Sequence, residues 1–337
     1  MRTVVVTGGF GMVGSNYVRA LLQTTNCKVV IIDNNLRQMR AHFEELTQYF
    51  NHLERVNIIE KDVRDVSVEE VQNLVSSKLT FVHLADIVAG IGFVFNNQYE
   101  ILKENQSIDI SAFELANSLN ADRVVYASTA CVFNQESQRS IDSKISMEKD
   151  LLPANPESTY GWAKLFGQLV MQELFKDTKT DVSTVYFHNM VGYPCDFWSN
   201  KSQFIPAIIN RTLETVERGS GKVGVWGSGH QGRALVPVTK AAEFLSMLSV
   251  AESIQSRYHF GPNFCSTVNW VAQNVIEQTN LPLIVEHDLT KPEGDTGRSV
   301  SEVDYLIGWE ITAEDVSKSI SETFKWVKNQ RSRESLD

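Results

Sequence analysis

Apolar residues cluster in short runs through the first half of the chain, at residues 3–6, 28–32, 56–59, 80–83, 123–127 and 182–187, and each run reads as a strand. Between them lie helix-length stretches at 11–22, 68–75, 102–119 and 156–175. Strands that are Val/Ile-rich throughout, rather than alternating, are covered on both faces, and their alternation with helices makes the sheet parallel. The prediction is an α/β chain built on a doubly wound parallel sheet of the Rossmann type. After Phe187 the rhythm breaks into a stretch rich in Gly, Pro, Trp and Asn, with one amphipathic segment at 204–217. The sheet resumes at 258–260, where Gly261 and Pro262 end the strand. A last helix is expected at 313–328. The expected division is a dinucleotide-binding domain from residues 1–187 and 236–264, with a smaller substrate-binding lobe from 188–235 and 265–337.

Composition narrows the partners. With 42% apolar and 21% charged residues the 337-residue chain is ordinary for a globular enzyme. A formal charge of −10 without a basic stripe argues against nucleic acid, and an anionic substrate would need local Arg or Lys. Cys27, Cys131, Cys195 and Cys265 are scattered with no C-x-x-C pair, so neither a metal site nor a disulfide framework is expected. A reducing cytoplasm suits such cysteines. No apolar run reaches the roughly 18 residues of a membrane helix, so no membrane partner is expected.

The first strand leads directly into Thr7-Gly8-Gly9-Phe10-Gly11-Met12-Val13-Gly14 and the first helix. In that context Gly8 permits the tight turn, Gly11 lets the backbone approach a pyrophosphate, and Gly14 allows close helix packing. Asp33, at the end of the second strand, is placed to accept hydrogen bonds from the adenosine ribose, which favours NAD over NADP; nearby Arg37 leaves room for some use of NADP. Asp62 and Val63 follow the third strand, where Asp62 either meets the adenine edge or caps the next helix. Phe10, Met12, Asn34, Leu84 and Ala85 are read as further cofactor contacts.

Tyr160 and Lys164 stand four apart on an expected helix and so share a face. A phenol titrates near pH ~10, and a nearby ammonium together with a nicotinamide cation would bring it toward neutrality, giving a base for a sugar hydroxyl.

The glycine spacing, Ala127-Ser128-Thr129-Ala130-Cys131 after the fifth strand, Tyr160-x-x-x-Lys164, Gly227-x-Gly-x-Gln231-x-Arg233 and Gly308-Trp309 together resemble the extended short-chain dehydrogenase/reductase family, over nearly the whole chain. The resemblance implies a tightly held NAD and a nucleoside diphosphate sugar of the GDP- or UDP-hexose class lying across the two lobes. It also implies a catalytic hydroxyl at Thr129, a base at Tyr160, Lys164 as ribose and phenolate partner, and Asn105 as the asparagine that steadies the site. The family usually carries Asp where this chain has Thr239. A homodimer through the helix at 102–119 and the helix of Tyr160 is implied as well.

Residues 83–93, His83-Leu84-Ala85-Asp86 onward, and 187–192 with Asn189 resemble the matching segments of GDP-mannose 3,5-epimerases and GDP-fucose synthases. In those groups a cysteine two residues beyond the catalytic hydroxyl acts as acid/base, and Cys131 stands there. In extended backbone residues 129 and 131 would leave on one face; the bland alternative for Cys131 is a buried small hydrophobe. The acid on the opposite face falls on Gln203, which cannot titrate, or on Lys201 with a small offset. Dehydratases carry Asp-Glu where this chain has Ala130-Cys131, so dehydration is not expected. Arg233 and Arg298 read either as diphosphate clamps or as ion-pair members, and Trp226 either stacks on a base or packs under a loop.

The expected activity is NAD-dependent epimerisation of a nucleoside diphosphate sugar through a 4-keto intermediate, with inversion at C3 or C5 using Cys131. Alternatives are a 4-epimerase without cysteine chemistry and a 4-dehydrogenase or reductase. A non-catalytic dinucleotide sensor is disfavoured by the intact Tyr160/Lys164 pair.

Overall fold

Seven strands pair into one parallel sheet in the computed structural model, which describes residues 1–48 and 53–334. In chain order they are β1 (Thr3–Thr7), β2 (Lys28–Ile32), β3 (Val56–Ile59), β4 (Leu79–His83), β5 (Arg123–Thr129), β6 (Asp181–Phe187) and β7 (Arg257–Phe260), and across the sheet they lie β3-β2-β1-β4-β5-β6-β7. The apolar runs outline these strands closely. β5 continues past its apolar run because backbone pairing persists to Thr129, opposite Phe187. Within β1, Val4 and Val6 enter one core layer with Tyr17 and Leu21, while Val5 enters the other with Phe81 and Phe113. Both faces are therefore buried, which is what unbroken Val/Ile strands require.

Strand order reverses direction at β1, between β2 on one side and β4 on the other. The carboxyl ends of β1 and β4 splay their connections apart there, leaving a crevice, the usual ligand position in such sheets. The helix Met12–Thr24 leaves β1 and packs on Val238–Val250, where the Tyr17 and Ser249 hydroxyls meet and Thr24 bonds Ser246 at 2.9 Å. Val238–Val250 was not expected from the strand rhythm; it is helix because Ala241, Leu245 and Leu248 form one buried stripe. Helices Arg40–Thr47, Ile91–Asn96 and Val268–Glu277 are also additions. The stretch expected at 68–75 shortens to Val68–Gln72, started by a Ser67/Glu70 capping box.

Beyond the sheet, four two-stranded pairs among the described residues build the region over the carboxyl edge, including parallel Lys222–Trp226 with Ile284–Asp288 and antiparallel Gly232–Arg233 with Ser266–Thr267. No helix among the described residues is long and apolar enough to cross a membrane.

Candidate active site

A cavity of about 1040 Å³ opens along the carboxyl ends of β1, β4 and β5 and runs under the residues after Phe187. It lies at the upper end of ligand-site volumes, so a dinucleotide end and a second ligand can share it. Every candidate residue named from the sequence lines it except Asn105, which lies behind the Ile87 backbone.

At the nucleotide end Gly8 has φ +72°, and a Cβ there would lie 2.7 Å from the Ala85 nitrogen. A Cβ on Gly14 would overlap the Gly8 carbonyl oxygen and sit 2.7 Å from Gly9 Cα, so the helix seats directly on the loop. Gly11 is more open, its nearest neighbour being the Gly8 oxygen at 3.3 Å. Asp33 accepts the backbone N–H groups of Phe10 and Asn35 at 2.9 and 2.8 Å, which ties the glycine loop to the end of β2. Burial raises its carboxyl from the ordinary value, partly offset by those N–H groups. Each carboxylate oxygen keeps a lone pair for a ribose hydroxyl. Arg37 donates to the Val88 carbonyl instead of standing free beside Asp33. The Phe10 ring packs on Phe43 at 5.3 Å, so its backbone rather than its ring is committed to the loop. Asp62 accepts the Arg64 N–H at 3.1 Å and caps the turn Val63–Asp65, while also taking a 3.0 Å bond from Asn34. Capping and cavity lining coexist at Asp62. Glycines without room for a Cβ, a carboxylate on β2 and an open helix start fit a dinucleotide, and Gly8, Gly11, Gly14, Asp33 and Asn34 would hold it.

At the reacting end the strand stops at Thr129 and Cys131 lies in the single turn Ala130–Val132. Thr129 is extended but Cys131 is not: the Thr129 hydroxyl accepts the Cys131 N–H at 3.2 Å and the chain bends after the strand. Tyr160 and Lys164 follow on helix Thr159–Phe175, and Gly161 lets that helix approach the Cys131 carbonyl, since a Cβ would lie 2.8 Å from Pro156. The protein groups around the Tyr160 hydroxyl push it up. Its pKa stands well above the ordinary value, because of burial first, then the negative charges of Asp86 and Cys131, against which the Thr129 hydrogen bond works. Nearby, the Lys164 ammonium pairs with the Asp86 carboxylate and donates to the Ala127 carbonyl at 2.9 Å.

On the far wall, Arg298 donates to Cys131 Sγ at 3.1 Å, to Asp295 at 2.8 Å and to Gln138 at 3.0 Å. Arg233 donates to the carbonyls of Gly232 and Asp295 at 2.7 and 2.6 Å. Both guanidinium groups are thus anchored in the protein, and Arg298 is an ion-pair member that also touches the thiol. Glu157, on the cavity, is raised to about 7 by burial and by the neighbouring Asp295 carboxylate. Asn189 starts the short strand Asn189–Val191. The Lys201 ammonium lies 5.2 Å from the Phe93 ring centre, and Gln203 precedes helix Phe204–Glu217. Trp226 is half-exposed, with Arg211 and Lys291 at 5.9 and 5.5 Å from its ring. It lines the cavity, with its ring also seated against Gly92.

Sequence reasoning passed over Asp86, Asp109, Glu157 and Asp295. Asp86 was visible as an acidic residue in the loop after β4, and a buried carboxylate needs a cation; nothing in the sequence says which. Asp109 accepts from His83 at 2.8 Å and from the Tyr126 hydroxyl at 2.6 Å, under the Asp86–Lys164 pair. Asn105 braces the Asp86 loop by exchanging bonds of 2.9 and 3.2 Å with the Ile87 backbone. Among the described residues no group of three His, Cys, Asp or Glu side chains could hold a metal.

The profile of the NAD dependent epimerase/dehydratase family matches residues 4–260. GDP-mannose 3,5-epimerase 1 of Oryza sativa subsp. indica is 24% identical over 337 residues, covering 98% of this chain and 83% of that protein. Among solved structures, a UDP-N-acetylglucosamine 4-epimerase from Methanobrevibacter ruminantium M1, in complex with UDP-N-acetylmuramic acid, superposes with a TM-score of 0.77 at 23% identity, over 98% of this chain and 99% of that one. A UDP-glucuronic acid 4-epimerase from Bacillus cereus, in complex with UDP-glucuronic acid and NAD, gives 0.76 at 16% identity, over 97% and 99%.

Proposed function

Because the chain belongs to the NAD dependent epimerase/dehydratase family, we propose that it is an epimerase of a nucleoside diphosphate hexose that works through a 4-keto sugar and inverts the carbon beside the ketone. The observation that carries this reading is the convergence of Thr129, Cys131 and Tyr160 on one cavity with the glycine loop, the thiol fixed by Arg298. Bound at the loop, NAD supplies reversible oxidation of the sugar carbinol. Tyr160 takes the proton of the C4 hydroxyl, with the Thr129 hydroxyl bonding to the phenolic oxygen. Once C4 is a carbonyl, the C3 and C5 hydrogens are acidic, and Cys131 as thiolate takes one of them to leave an enolate. Inversion needs a proton delivered to the other face. Of Lys201 and Gln203, both on the cavity, only the lysine carries a proton to give, so Lys201 is assigned that step. Arg298 keeps the thiol aimed, and the cationic surround of Trp226 suits the nucleotide phosphates or base.

GDP-mannose is the first sugar to test, given the matched relative. Incubation with NAD in deuterium oxide should place carbon-bound deuterium at C3 or C5, and Cys131→Ser should remove the label. Inversion at C4 with no label sinks the cysteine step and leaves a 4-epimerase; stoichiometric NADH would instead mean a dehydrogenase.

A homodimer is also proposed. Trp162, Phe166 and Leu169 are 43%, 43% and 52% exposed at helical spacing on the helix that carries Tyr160. Such an apolar stripe on a polar chain suits a second copy. Four free cysteines fit a cytoplasmic setting.

A further inference from the structure

Lys164 has three N–H donors, and two have fixed partners: the Asp86 carboxylate and the Ala127 carbonyl at 2.9 Å. Its side chain is 4% exposed and that of Asp86 is 1% exposed, so the pair is out of water. The ammonium also lies 4.7 Å from the centre of the Tyr126 ring. Asp86 is itself pinned, since its Oδ1 accepts the Ile87 N–H at 3.1 Å and Asn105 grips Ile87 on both sides. One donor of Lys164 therefore remains for a phenolate or a ribose, and the direction of that donor follows from where Asp86 holds the nitrogen.

We infer that Asp86 is a positioning residue for the tyrosine–lysine pair: it fixes the Lys164 ammonium in the cavity wall, opposes its charge, and so sets how readily the Tyr160 hydroxyl releases its proton. The inference rests on the reading of Tyr160 as the base. The charged and titratable groups around Asp86 are Lys164 and Tyr160 from helix Thr159–Phe175, Asp109 from helix Gln98–Ser118, Tyr126 from β5 and His83 from β4. Asp109 is already held by His83 and Tyr126, so its charge is partly met. Asp86 and Tyr160 both line the cavity, and the Asp86 charge acts on the phenol. Burial and the Asp86 charge both oppose ionisation of the phenol, in that order.

The test is a phenolate absorbance titration without substrate. The difference between wild type and Tyr160→Phe isolates one phenol, and the same difference is taken in an Asp86→Asn background. Wild-type Tyr160 is expected to titrate above the ordinary value near ~10. Asp86→Asn should lower it, giving more phenolate at a given pH, as expected for removing a like charge that opposes ionisation. A titration unmoved or raised by Asp86→Asn overturns the inference. Should that variant fail to fold, the wild-type curve still decides: a Tyr160 that ionises at or below the ordinary value overturns it. Because no turnover is read, a protein that shows the Asp86 effect but inverts no sugar sinks the proposed function alone.

Discussion

Replacing Gly14 by Ala sets two effects of opposite sign against each other. Gly14 lies inside helix Met12–Thr24, and there alanine alone would stabilise by about 1 kcal/mol through helix propensity. The added methyl, however, would overlap the Gly8 carbonyl oxygen and stand 2.7 Å from Gly9 Cα and 2.9 Å from the Gly9 carbonyl carbon. These are backbone atoms, with no flexible side chain to yield, so helix and loop must separate. Overpacking of this kind costs about 1–3 kcal/mol and at a backbone contact belongs at the upper end. The net is a loss of about 1–2 kcal/mol. With an unfolding entropy near ~2.1 cal/mol/K per residue, a chain of 337 residues loses about 1.4 °C of Tm per kcal/mol, so Gly14→Ala should melt roughly 1–3 °C lower. The same displacement moves the loop that would meet the pyrophosphate, and NAD affinity by calorimetry should fall at least about tenfold, or ~1.4 kcal/mol. Gly11→Ala is the control. Its Cβ has the Gly8 oxygen at 3.3 Å as nearest neighbour, so Tm should hardly change while NAD binding still weakens. A Gly14→Ala protein that melts higher than wild type with unchanged NAD affinity refutes the packing argument.

Other outcomes follow from the same geometry. Tyr160→Phe should lower kcat by about 10²–10⁴, the range for loss of a general base, while NAD affinity by calorimetry stays within about twofold; unchanged turnover would revive a non-catalytic role. Glu157 is raised from 4.5 to about 7 by burial and by Asp295, so the folded protein holds a proton that the unfolded chain releases. That stability is full below about pH 4.5 and is lost as pH rises through about 7, and Glu157→Gln should therefore raise Tm more at pH ~8 than at pH ~5; equal changes at both would contradict it. A Trp162→Glu, Phe166→Glu double variant should be monomeric by light scattering at concentrations where wild type is a dimer.

Much of the fold was legible because parallel strands in a doubly covered sheet must be apolar throughout, and β1 to β7 are so. Helix Val238–Val250 was not, since its buried stripe is interleaved with Thr239, Lys240 and Glu243, and only its partner helix shows which face is needed. The Thr129–Cys131 relation was misread for a local reason, as the threonine hydroxyl caps a turn that strand propensity does not reveal. The Tyr160–Lys164 pair was legible in position, whereas the Asp86 carboxylate that pairs with Lys164 was not.

What the sequence alone determined is set by backbone geometry over short distances: strand and helix periods, and glycines spaced for a turn, an anion and a close packing. Electrostatics belongs to the tertiary structure. Asp86 follows β4 and Lys164 lies on helix Thr159–Phe175, which is packed so that its ammonium also reaches Ala127 of neighbouring β5, and Arg298 reaches Cys131 across 167 residues. Charge interactions act through space in a water-poor interior, so the partner of a buried ion depends on which chain ends the sheet brings together, and no local pattern encodes that choice.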